Sequence, residues 1–361
     1  MSRPVARPHG IVAAALAAAL LLVACGDDSG GGGGGGGGGD DVKKLGFVVA
    51  NVSLNFAREM ADGGVAAGKD AGGVEVQVAG PPTTDGPQEV QIFQNTLITS
   101  PDGAVIENLA PDLFTRAEAQ AIDKGIPLVA LDTIGLPGSK IETYVGNDNY
   151  DLGATLAKEA LKRLPPNPTG LVVLGNPNPG VPVLDSRVQG LKDTFAKEAP
   201  GITTKGPFET FSDPGKSYNA WSSLVRANSS ALAFLGVGDA DSYSLARVKK
   251  QTGGKYLTAG FDLDPQTMQA VKDGTNFVAI SPEHYLKGYV AMALLADHVK
   301  GKKDLPKGWI RVPGLVVDSS NIDQIITRQA SQEGRHEQIA PEAQKIVADV
   351  ESYTRPYGDA R

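Results

Sequence analysis

A single cysteine, Cys25, stands among 361 residues, so no intrachain disulfide can form and stability has to come from a hydrophobic core. The four histidines are scattered without a local pair, which gives no metal-ligating motif. Neither a metal nor a cofactor is expected. Basic residues are outnumbered, 34 Lys and Arg against 41 Asp and Glu, for a formal charge of −7. That balance argues against a nucleic-acid partner and against adsorption on anionic lipid. Complete catalytic signatures are missing as well. Gly236-Val237-Gly238 lacks the third glycine of a dinucleotide loop, and Asp239 behind it would repel a pyrophosphate. No Gly-x-Ser-x-Gly elbow occurs, which disfavours a hydrolase. The apolar run from Ile11 to Val23 is too short to cross a bilayer.

Arg3 and Arg7 precede that run and small residues end it, the pattern of a secretory leader. Leu22-Val23-Ala24-Cys25 resembles the lipobox of bacterial lipoproteins, which implies cleavage after residue 24 and acylation of Cys25 as the new N-terminus. Losing Arg3 and Arg7 leaves 32 basic residues against 41 acidic ones, a mature charge of −9. The acyl group is then the expected membrane contact, and the location extracytoplasmic. Ten consecutive glycines, Gly30 to Gly39, flanked by Asp27, Asp28, Asp40 and Asp41, offer no side chains to bury. Residues 25–42 read as a flexible tether with a reach of roughly 20–25 Å. A phosphate-cradling loop is disfavoured because no Lys-Ser/Thr pair or helical pattern follows.

The remaining 320 or so residues exceed what one core usually serves, so two lobes are expected. Apolar β-rich runs alternate with amphipathic stretches, the pattern of parallel sheets with helices on both faces. Strands are predicted at 45–50, 74–78, 103–106, 127–131, 143–145, 170–174, 202–209, 231–235, 256–261, 277–280 and 312–317. Helices are predicted near 55–71, 86–99, 111–123, 150–164, 183–198, 215–227, 239–251, 264–273 and 284–299. The fold class is α/β, two doubly wound parallel-sheet lobes joined by a hinge. One lobe comprises residues 43–147 plus 283–311, the other 148–282 plus 312–320, and 321–361 form an extension with a helical piece near Pro341 to Ser352.

In open α/β sheets ligands bind beyond the carboxyl ends of strands. The polar residues there are Asn51 and Ser53, Glu107 and Asn108, Asp132 and Thr133 in the first half. Asn176 and Asn178, Gly238 and Asp239, and Asp262 follow in the second. Asp132 and Asp262 end equivalent apolar runs, so each lobe offers a carboxylate acceptor, and Arg187 can supply fork-like donors to the same ligand. Such a set suits a polyhydroxylated guest. For Asp239 and Asp264 a helix N-cap is the competing role, and Trp221, with Tyr218, Leu224 and Val225 at helical spacing, reads as core.

Residues 45–56 with Asp62-Gly63, 126–132, 145–150 with Gly153, 185–191 and Ala259-Gly260-Phe261-Asp262 together resemble the sugar-binding proteins of bacterial ABC importers. The ribose- and galactose-type cluster, with the type I periplasmic-binding fold, is the most similar. The resemblance implies that Phe56 packs on a sugar face and that Asn51, Ser53 and Asn55 supply polar contacts from the first lobe. It further implies contacts from Glu107, Asp132, Arg187 and Asp262, with Gly238 where the family has Asn and Asp239 beside it. Ala57 replaces a second aromatic, and Thr133 an Arg that often follows the fourth-strand Asp. Those losses predict a larger pocket, short of one charge partner, and leave a positive ligand group facing Glu107 and Asp132 open. The expected function is capture of a sugar or polyol by a monomeric solute-binding protein for an ABC permease, with no catalysis. The alternatives are a sugar or quorum-signal receptor serving a membrane sensor and, less favoured, a lipid-anchored enzyme.

Overall fold

The computed structural model describes residues 42–360; the leader, Cys25 and the glycine tether lie outside them. Val-, Ile- and Ala-rich runs lacking polar alternation form the inner strands, buried on both faces as parallel strands between helical layers must be, while the edge strands at 74–79 and 202–209 are partly exposed. The strands of the first lobe are β1 (Lys43–Val48), β2 (Val74–Ala79), β3 (Gly103–Glu107), β4 (Leu128–Leu131) and β5 (Thr143–Gly146). They alternate with α1 (Asn55–Ala71), α2 (Gly86–Thr99) and α3 (Pro111–Asp123). The second lobe follows with α4 (Asn149–Leu161), β6 (Gly170–Asn176), α5 (Pro182–Glu198), β7 (Ile202–Glu209) and α6 (Pro214–Ala227). It continues through β8 (Ala233–Gly236), α7 (Asp239–Thr252), β9 (Leu257–Phe261), α8 (Pro265–Lys272) and β10 (Ala279–Ser281). Turn chemistry fixes several helix starts: Asp85, Asp148, Asp213 and Asp264 each accept a backbone N–H from the first turn of α2, α4, α6 and α8.

The chain then returns. α9 (His284–Val299) packs into the first lobe's core with Phe47, Met60 and Val129, and β11 (Gly308–Arg311) pairs in parallel with β5. β12 (Leu315–Val317) instead pairs antiparallel with β10. The sheets therefore read β13-β11-β5-β4-β3-β1-β2, with β13 (Thr354–Arg355) at one edge, and β12-β10-β9-β8-β6-β7. Of the single strand expected over 312–317 only 315–317 forms, as β12, and β11 at 308–311 was not expected. Pro313 and Gly314 interrupt the run, since proline cannot donate to a ladder and glycine weakens one.

Three segments link the sheets, at 147–148, 282–283 and 312–314, and the extension adds a fourth link. α10 (Ile322–Gln329) buries Ile322 and Ile325 against Leu263, Met268 and Val317 of the second lobe. After a turn at Ala330 and Ser331, α11 (Gln332–Ala348) buries Ile339, Ala343 and Ile346 in the core shared by α1 and α9. α12 (Val350–Tyr353) leads into β13.

The two lobes repeat one packing device. Gly63 of α1 and Gly288 of α9 lie so close across the helix pair that a Cβ would sit 2.1 Å from Tyr285 O and 1.9 Å from Met60 O. Gly153 of α4 and Gly190 of α5 do the same, at 1.9 Å from Arg187 O and 2.0 Å from Tyr150 O. Only a residue without a side chain permits such contact. The device sets how near Phe56, Arg187 and His284, carried on these helices, come to the ligand cleft.

Candidate functional site

Asp132 and Asp262 follow β4 and β9 and occupy matching positions in the two lobes. Both have left-handed backbone, φ 62° and 70°, a region that Asp tolerates better than bulkier residues. Each donates its own N–H to the next strand, Asp132 to Val145 O and Asp262 to Ile280 O, both at 2.9 Å. The carboxylates are thereby lifted off the sheet ends into one interlobe cavity.

That cavity is lined from the first lobe by Leu54, Phe56, Leu109, Asp132 and His284, and from the second by Asn178, Arg187, Asp239, Tyr243 and Asp262, among others. Seven of the residues singled out from sequence therefore meet there: Phe56, Asp132, Asn178, Arg187, Gly238, Asp239 and Asp262. Asn51, Ser53, Asn55 and Glu107 do not line it. Asn51 donates to Thr84 Oγ1 at 3.3 Å and accepts from Ser53 N at 2.8 Å, Ser53 donates to Pro82 O, and Asn55 donates to Glu59 Oε1 at 2.9 Å. These three side chains brace the loops around the start of α1. Glu107 is fully buried and accepts from Ala50 N at 2.9 Å; burial pushes its carboxyl up to about 8, against the opposing pull of that hydrogen bond. Asn178 lines the cavity from the β6 tip and donates to Ser212, while Asn176 holds Asp185 at 2.8 Å.

The electrostatics rest on two residues of α9. Lys287, fully buried, donates to Asp132 Oδ1. Burial alone would raise Asp132, but the Lys287 ammonium, with lesser help from His284 and Arg187, holds it at about 2. Desolvation in turn lowers Lys287 from the usual amine range, partly offset by Asp132. His284 places Nε2 2.8 Å from Asp262 Oδ1, and its ring lies 5.5 Å from that of Phe56. Burial lowers the His284 pKa despite the adjacent carboxylate. Arg187 donates from Nε to Asn149 Oδ1 and from Nη1 to Val237 O, both at 3.0 Å, with its guanidinium 4.4 Å above Phe261.

Two expectations are corrected here. Asp132 is not short of a charge partner, because Lys287 takes the place of the absent Arg at position 133. Nor is the pocket enlarged: Ala57 is core rather than lining, and the cavity holds about 50 Å³, far below the roughly 300 Å³ and upward of small-molecule sites. The lobes stand closed. Glu107 lies off the cavity and Asp132 is paired with Lys287, so neither presents the unpaired carboxylate that a positive ligand group would face. Asp264 is the N-cap of α8, accepting from Gln266 N, whereas Asp239 caps nothing. Asp241 performs that task for α7, accepting from Val237 N and Gly238 N at 3.1 Å and from Trp221 Nε1 at 2.8 Å. Trp221 itself is fully buried core.

Two doubly wound lobes meeting at a shared polar cavity define a hinged ligand-binding molecule. The chain belongs to the family described as periplasmic binding protein domain, whose model matches residues 45–303. α10 to α12 lie outside the matched segment. Among solved structures it is similar to an ABC transporter solute-binding protein from Burkholderia graminis in complex with D-arabinose. The identity is 26% and the TM-score 0.72, covering 78% of this chain and 98% of that one. It is also similar to a glucose-galactose binding protein from Geobacillus stearothermophilus, with 24% identity, TM-score 0.70 and coverage of 77% and 98%. A solute-binding protein from Agrobacterium vitis bound with α-D-tagatopyranose gives 22% identity, TM-score 0.71 and coverage of 80% and 97%. A search of curated proteins finds no match. Among the described residues no helix is long and apolar enough to cross a membrane.

Proposed function

We propose that this chain is an extracytoplasmic solute-binding protein, anchored through acylated Cys25, that captures a sugar or polyol between its lobes and delivers it to the permease of an ABC importer. The observation that carries this reading is the convergence of Asp132 and Asp262, from equivalent strand tips of opposite lobes, with Arg187 and Phe56 in one cavity. Carboxylates accept hydroxyl donors, the guanidinium returns donors to ring and hydroxyl oxygens, and Phe56 offers an apolar face to C–H bonds. A cavity of about 50 Å³ admits no monosaccharide, so the lobes separate for entry and close on the guest. Closure buries each hydroxyl, and one left without a partner costs about 1–3 kcal/mol, which is the source of selectivity. The sugars carried by similar proteins support the same class of guest. No bond of the ligand is made or broken.

A thermal-shift screen of the mature chain against pentoses, hexoses, polyols and amino sugars tests the reading. A guest at one hundred times its Kd adds about 2.7 kcal/mol of stability. Arg187→Ala, Asp132→Ala and Asp262→Ala are each expected to weaken that guest tenfold or more, about 1.4 kcal/mol. Unchanged affinity in all three removes the site assignment. Cys25→Ala is expected to release the protein from membranes.

A further inference from the structure

We propose that the cleft is built for a cationic guest, an amino sugar or amino polyol whose ammonium is held by Asp239. The inference rests on the sugar-binding reading above and deepens it. Counting partners around the cavity isolates the group. Asp132 already has Lys287 as a partner, Asp262 has His284, and Arg187 has Asn149 and the Val237 carbonyl, each with capacity left for a ligand. Two polar atoms, both shut off from solvent, are left without a hydrogen-bond partner: Asp239 Oδ1 and His284 Nδ1, on residues that line the cavity.

The chemistry of both atoms asks for a donor. His284 directs Nε2 at the Asp262 carboxylate, so the ring proton sits there and Nδ1 presents a lone pair. Asp239 is an acceptor when ionised, and its Oδ1 takes no backbone N–H of its helix; the side chain that reaches back to the N–H groups of Val237 and Gly238, just before α7, is that of Asp241. A guest that meets these atoms supplies hydrogens and no competing lone pair, which describes an ammonium, with three donors and no acceptor, better than a hydroxyl.

Charge points the same way. Among the described residues, the carboxylate that faces this cavity without a cation or a hydrogen-bonded partner is Asp239. The charged groups that act on it most strongly are Asp262 at the β9 tip, Asp264 at the start of α8, Glu59 on α1 and Asp241 on its own helix, all acidic, although Arg187 lines the same cavity. Arg58 acts on Asp264. Burial among acids pushes Asp239 well above the ordinary carboxylate range, an arrangement that an incoming ammonium relieves by pairing with the ionised form.

Isothermal titration of the mature chain with matched pairs tests this: D-galactosamine against D-galactose, D-glucosamine against D-glucose, D-mannosamine against D-mannose, below the amine pKa. At least one amino member is expected to bind tenfold or more tighter than its neutral partner, and its N-acetyl derivative to lose that advantage. Asp239→Asn, nearly isosteric, is expected to bring the ratio close to one with the fold intact by circular dichroism. His284→Gln serves as the second variant and is expected to reduce the ratio. Tighter binding of the neutral members, or an unchanged ratio in Asp239→Asn, overturns the proposal while leaving sugar binding standing. Absence of binding by every probe, charged and neutral, overturns the sugar-binding reading and this proposal together.

Discussion

A fully buried ammonium is among the costliest groups a fold can carry, and Lys287 is tolerated because Asp132 faces it in the same dry environment. Lys287→Met strands a buried carboxylate and is expected to destabilise the protein by about 3–5 kcal/mol in urea unfolding, with much of the loss recovered by adding Asp132→Leu. Other buried acids behave oppositely. Burial pushes Glu89 up to about 9 and Glu118 up to about 7, and each has an oxygen without a hydrogen-bond partner. Their folded pKa values exceed the unfolded one, so their contribution to stability is complete below about 4.5 and is lost as pH rises through about 7 and then about 9. Urea midpoints from pH 5 to 9 are expected to fall for the wild type and to fall less for Glu89→Gln; parallel curves refute this. Asp132, Asp239 and Asp262 were legible because residues that follow apolar strands sit at the sheet ends whatever the details of packing, whereas Arg187, inside α5, was named from its donor chemistry and the family resemblance. Lys287 and His284 were not read as cleft residues, since they lie within or open a helix whose pattern says core. The usable signal was the lysine itself, because a charge inside a helix buried all round requires a partner.

At the scale of elements, α9 is the first lobe's central pillar, and its approach to α1 is set by Gly288 and Gly63. Gly288→Ala places a methyl against the Met60 carbonyl, which neither backbone can yield cheaply. The expected cost is at the upper end of the roughly 1–3 kcal/mol typical of overpacking, seen as a lower melting temperature. An unchanged melting temperature counts against close helix contact as the organising feature. Most element boundaries agree with the hydrophobic patterning to within a few residues, because β-branched strands and amphipathic helices are locally specified. The failures are short and late in the chain. β11 is a four-residue piece, Gly-Trp-Ile-Arg, that owes its strand state to pairing with β5, and α10 has only eight residues. Neither offers a long enough period to read without its tertiary partner.

For the whole molecule, the two-lobe plan follows from length and from alternation of strand and helix. How the chain returns was less legible, because that depends on which sheet has an open edge. The extension belongs to both lobes: α10 buries its apolar face on the second, α11 on the first. Where they meet, Arg328 holds Glu283 through two hydrogen bonds of 2.9 Å, and both residues are buried. Glu283 ends the link that carries the chain from β10 into α9. Arg328→Met is expected to speed ligand release several-fold in stopped-flow measurements without altering the cavity's own contacts; an unaltered release rate refutes the coupling.

Cavities of about 440 and 300 Å³ flank the 313–315 crossing, one toward Arg311 and Arg355 and the other toward Glu283 and Arg328. A linker with free space on either side can swing, whereas the bidentate pair beside it resists the swing. On the proposed reading the clamp then has a latch on its spine, and the time a guest stays inside is expected to depend partly on a joint that the guest never touches.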